Sequence, residues 1–90
     1  MLRERTIDDD PFAVALQALA WLLGDGTRAE RFLSLTGIAP TQLRERASDP
    51  EMLDAVLGFL EAYQPDLIAC AEATGVLPER LVASRARLLA

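Results

Sequence analysis

The sequence predicts an all-α protein, a compact bundle of about six short helices. Three observations carry that reading. No stretch alternates apolar and polar residues with the two-residue period of a strand. Helix start and stop signals recur at helix-length intervals: Asp10-Pro11, Gly24-Asp25-Gly26, Gly37, Pro40, Asp49-Pro50, Pro65, Gly75 and Pro78. The longest apolar run, Pro11 to Leu23 (PFAVALQALAWLL), has Gln17 as its one strongly polar residue. As a helix it is apolar nearly all round, so it is expected to be buried at the centre of the bundle.

The first nine residues are charged and have little periodicity, so residues 1–9 read as a flexible segment ahead of a single helical domain over 10–90. Asp10 is placed to cap free amides, and Pro11 suits the first helical position. On a helical projection Phe12, Leu16, Leu19 and Leu23 share one face, with Val14, Ala18 and Trp21 roughly opposite. A second helix runs from Thr27 to Thr36, capped by Asp25 or Thr27. Its inner face is Ala29, Phe32, Leu33 and Thr36, and Arg28, Glu30 and Arg31 lie largely outside it. Gly37 ends it at a left-handed position. A third, from Pro40 to about Ala47, turns Leu43 inward. The fourth, Pro50 to Tyr63, has an apolar arc of Met52, Leu53, Val56, Leu57, Phe59 and Leu60. The fifth runs from Pro65 to Thr74 with Leu67, Cys70 and Ala71 inward, and Gly75 stops it. The sixth starts at Pro78 and carries Leu81, Val82, Leu88 and Leu89.

Composition narrows the function classes. The net charge of −5 disfavours nucleic acid and anionic membrane as partners, since both call for a basic surface. All nine basic residues are Arg, and the chain has no His. It therefore lacks the side chain best suited to acid–base work near neutral pH and the commonest metal ligand. The single Cys70 forms neither an internal disulfide nor a Cys-rich zinc site. Asp8, Asp9 and Asp10 are adjacent carboxylates that do not converge on a metal, and capping accounts for Asp10. No phosphate loop, nucleophile elbow or carboxylate pair is visible. The expectation is a non-enzyme with no cofactor and no metal. Arg3 and Arg5 precede an apolar run as in a signal peptide, but three aspartates intervene and no small-residue cleavage site follows Leu23. The run also falls short of the roughly 20 residues of a membrane span. A cytoplasmic protein is expected.

Residues 19–43 align with 57–81 without a gap, at a shift of 38 residues. Leu19 meets Leu57, Leu22 meets Leu60, Thr36 meets Thr74, Gly37 meets Gly75, Pro40 meets Pro78 and Leu43 meets Leu81. Trp21 meets Phe59, and Ile38 meets Val76. The shared string is Thr-Gly-(Ile/Val)-x-Pro-x-x-Leu: a helix stopped by Gly, an apolar plug, and a helix opened by Pro. Two similar three-helix halves around a shared core are expected.

Three residues stand out as candidate interaction sites. Trp21 and Phe59, equivalent in the repeat, are natural anchors for an interface if they are not simply core. Arg85 falls inside the apolar stripe of the sixth helix, between Leu81, Leu88 and Leu89. There it snorkels, pairs with a carboxylate of another helix, or meets a partner. The spacing of Ala71, Gly75 and Val76 also fits a helix-turn-helix, with Arg80, Arg85 and Arg87 on a recognition helix. An αα-corner explains that spacing equally well.

One family has this order of residues. Ala18-Leu19-Ala20-Trp21-Leu22, Arg31-Phe32-Leu33, Leu35-Thr36-Gly37-Ile38, Leu43-Arg44, Ala55-Val56-Leu57, Phe59-Leu60 and Pro78-Glu79 with Arg85 resemble the uncharacterised bacterial family known as domain of unknown function 3572, found mainly in alphaproteobacteria. The likeness covers nearly the whole chain from Asp10, and Arg-Phe-Leu-x-Leu-Thr-Gly is its most specific string. Ala39 stands where an acidic cap is expected before Pro40. The resemblance implies no activity, ligand or catalytic residue. The functional expectation is thus a small interaction or adaptor domain that binds a protein partner, or a second copy of itself, through apolar helical surface. The alternative is a DNA-binding regulator using residues 71–89.

Overall fold

A computed structural model describes residues 10–89. It contains six α-helices: α1 (Pro11–Leu23), α2 (Gly26–Thr36), α3 (Pro40–Glu45), α4 (Pro50–Glu61), α5 (Gln64–Thr74) and α6 (Pro78–Leu88). No strand occurs among the described residues. The expected flexible segment, residues 1–9, lies outside them. So do Asp8 and Asp9 of the aspartate run.

Three of the helices begin at an aspartate that caps their first amides. Asp10 accepts hydrogen bonds from the amides of Phe12 (3.0 Å) and Ala13 (3.4 Å). Asp25 caps α2 through the Arg28 amide (3.1 Å), and Asp49 caps α4 through the Glu51 amide (2.9 Å). These amide bonds hold the carboxyls of Asp25 and Asp49 below the usual carboxylate range. Ala39 offers no side-chain cap, and α3 is closed differently: Gln42 Oε1 accepts from the Ala39 amide at 2.9 Å. This helix is six residues long and stops at Glu45, short of the Ala47 the sequence suggested.

The helices enclose one core. α1 packs against α2, α4, α5 and α6, and α4 against α1, α2, α5 and α6, so these two helices form the centre of the bundle. α1 is not buried all round, although its apolar character suggested that it would be. Val14, Ala15, Ala18, Leu19 and Leu22 are buried, whereas Leu16 and Leu23 are 40% and 46% exposed. A helix apolar all round gives no periodic signal for its orientation. The small side chains of Ala15 and Ala18 let neighbouring helices approach closely, so packing turns that face inward. On α4 the predicted arc is buried except for Phe59, which is half-buried. Leu67, Cys70 and Ala71 are the buried residues of α5, as their spacing indicated. On α6, Leu81 and Ser84 are buried while Val82 and Leu89 face solvent.

The two Thr-Gly turns match closely. Gly37 and Gly75 have φ of 75° and 78°, the left-handed conformation that Gly adopts without steric cost. Thr36 Oγ1 donates to the Phe32 carbonyl and accepts from the Ile38 amide, and Thr74 does the same with Cys70 and Val76. The helices that follow differ. α6 has 11 residues and packs on α1, α4 and α5, whereas α3 has six residues and buries only Leu43. The likeness is one of turns, and the structure does not extend it to two equivalent halves.

Candidate docking surface

Trp21 lies in the last turn of α1, half-buried. The Arg28 guanidinium covers its ring, 3.5 Å from the centroid. Arg28 Nη2 also donates to the Trp21 carbonyl at 2.7 Å, filling an acceptor at the end of α1. The first turn of α2 therefore folds over Trp21 and holds it.

Phe59 is held in a similar way from the next turn of α2. Phe32 meets it edge to face, with centroids 5.4 Å apart and ring planes at 90°. Arg31 lies 5.2 Å from the ring centroids of both Phe59 and Tyr63, and is itself ion-paired with Asp66 of α5. Arg28 and Arg31, expected on the wet side of α2, are thus half-buried covers for the two aromatic residues. Polar type alone placed them outside. Their stems and planar heads pack on rings, which a hydropathy pattern does not register.

Arg85 pairs with carboxylates of another helix. Its Nε donates to Asp54 Oδ1 (2.9 Å) and its Nη1 to Glu61 Oε1 (3.2 Å). Between these two acids, two turns apart on α4, stands Gly58. A methyl group there would sit 3.0 Å from the guanidinium carbon, so the guanidinium lies directly on the α4 backbone. The arrangement ties α6 to α4. Exposed ion pairs contribute little, so Arg85→Ala is expected to lower the unfolding free energy by only about 1 kcal/mol in urea titration. Gly58→Ala should stabilise by about 1 kcal/mol in the Arg85→Ala background, where helix propensity acts alone. With Arg85 present the gain should shrink, and a double-mutant cycle measures the difference.

Cys70 is fully buried, and burial pushes its thiol up to about 11. The native protein is expected to resist a thiol reagent such as dithionitrobenzoate at pH 8 and to react at once in denaturant. Rapid native labelling would contradict its placement in the core.

One concavity joins three helices and was not legible in the sequence. A groove of about 630 Å³ opens between Leu19 and Leu23 of α1, Leu33 of α2, and Pro40, Leu43 and Arg44 of α3. Its walls come from three helices and are apolar apart from Arg44. A smaller concavity of about 350 Å³ lies beyond α2, where Phe59 meets Leu35 and Tyr63. Leu35 and Tyr63 are 72% and 51% exposed. Of the three candidates, Phe59 lines the smaller of these two concavities. Trp21 lines neither of these two, and Arg85 is engaged by Asp54 and Glu61. Among the described residues no cluster of three His, Cys, Asp or Glu side chains is placed to hold a metal ion. No helix among them is long and apolar enough to cross a membrane.

Fold and surface define a small all-helical protein with an apolar groove at one end of its central helix. Over residues 8–90 the chain matches the family described as protein of unknown function (DUF3572), and it belongs to that family. No curated protein and no solved structure matches it.

Proposed function

We propose that the protein is a non-enzymatic interaction module that docks a helix of a partner protein in the groove between α1, α2 and α3. The observation that carries this is the groove itself. Its walls are almost wholly apolar, yet Leu23 is left 46% exposed on the helix that organises the core. Apolar surface gathered in a concavity is the usual mark of a docking site. Two features support a non-enzymatic role: the chain has no His, and its one thiol is buried with a raised pKa. The competing DNA-binding reading loses its central arginine, because Asp54 and Glu61 hold Arg85.

Site-specific photocrosslinking in the native cell tests the reading. A benzophenone side chain at Leu23 should yield one discrete adduct with another protein, while the same probe at exposed Glu79 on α6 should not. Adducts at Glu79 and none at Leu23 would move the interaction elsewhere and overturn the proposal.

A further inference from the structure

The geometry points to the chemistry of the docked helix: an amphipathic helix whose apolar stripe is flanked by Asp or Glu, with one carboxylate meeting Arg44. This inference rests on the docking reading above. It starts from how the arginines are used. Among the described residues, Arg28 pairs with Asp25, Arg31 with Asp66, Arg46 with Asp49 and Glu51, and Arg85 with Asp54 and Glu61. Arg80 and Arg87 are engaged as well. The Arg44 side chain alone makes no hydrogen bond or ion pair with any described residue, and it is the one charged side chain lining the groove. A protein of net charge −5 therefore presents an unpaired cation at the edge of this apolar groove.

The occupant is a helix because the groove offers side chains and no backbone partner. No strand edge exists among the described residues, so an extended segment would leave its amides and carbonyls unpaired against leucine. A helix brings its backbone already satisfied and presents apolar residues at three- and four-residue spacing to Leu19, Leu23, Leu33 and Leu43. A second copy of this chain is a poorer fit. Groove-to-groove contact about a two-fold axis would bring the two Arg44 side chains into one interface.

Two synthetic amphipathic peptides test the inference. Each has about 16 residues and the same leucine stripe, one flanked by Glu and the other by Lys. Binding is read from the methyl NMR shifts of Leu19, Leu23, Leu33 and Leu43 in about 0.15 M salt, where the protein's long-range charge is largely screened. The Glu peptide should bind about fivefold more tightly than the Lys peptide, the scale of one rim charge pair. Arg44→Glu, a change at an exposed position, should invert that order. Equal binding, or preference for the Lys peptide by the unmodified protein, at the same leucines would overturn the acidic helix and leave the docking groove standing. No shift of these leucines with either peptide would overturn both.

Discussion

Phe32→Ala is expected to lower the unfolding free energy by about 3–5 kcal/mol, a large part of what a domain of this size has. Phe32 is the only fully buried residue of α2. It fills the core with no exposed surface and meets Phe59 edge to face. α2 has no second anchor of comparable size. Arg28 and Arg31 cover aromatic rings, but contacts at partly exposed positions contribute far less than a buried ring. Removing the ring therefore leaves a cavity and frees the helix that supplies one wall of the groove. Urea titration followed by circular dichroism gives the value. A loss under about 1 kcal/mol would mean that α2 is held by its charged contacts instead, contrary to the packing described above.

The second large effect separates the two faces of α1. Leu22 is fully buried and Leu16 is 40% exposed. Leu22→Ala is expected to cost about 2–5 kcal/mol, and Leu16→Ala well under half of that. The leucines are chemically alike and six residues apart on one helix, so the contrast reports the orientation of the helix alone. Equal losses would mean that α1 is wrapped on all sides, as its uniform apolar character first suggested.

That orientation marks the boundary of what was legible in the sequence. Helix existence was legible because Asp-Pro starts and Gly stops act locally. Asp10, Asp49, Gly37 and Gly75 do in the structure what their types dictate. The inner face of α5 was legible too, from the three- and four-residue spacing of Leu67, Cys70 and Ala71, although the exposed Ile68 beside them is just as apolar. On α1 nothing polar marks an outer face except Gln17, and the choice fell to the tertiary packing of Ala15 and Ala18. The groove was illegible for a related reason. Leu23, Leu33 and Leu43 are ordinary apolar positions on three different helices, and only their relative placement makes a concavity of them. Arg85 was recognisable as unusual from its position among leucines. Its partners were not, because Asp54 and Glu61 lie on another helix, and only the packing of α6 on α4 brings the guanidinium down between them over Gly58.

The repeat was the most attractive pattern in the sequence, and the turns bear out its local part. Thr36 and Thr74 bond alike, and Leu43 and Leu81 are both buried after their prolines. The difference between α3 and α6 has a consequence for the surface. α6 is long enough to lie across α1 and α4, whereas the short α3 leaves the end of α1 uncovered. That gap is the groove.

The central claim is that this apolar groove is kept for a different protein. Light scattering on the purified chain, across a hundredfold range of concentration, tests it most directly. A monomer throughout, for both the unmodified protein and Leu23→Asp, is the predicted result. A dimer at every concentration that Leu23→Asp returns to monomer would contradict it, for the groove would then already be filled by a second copy.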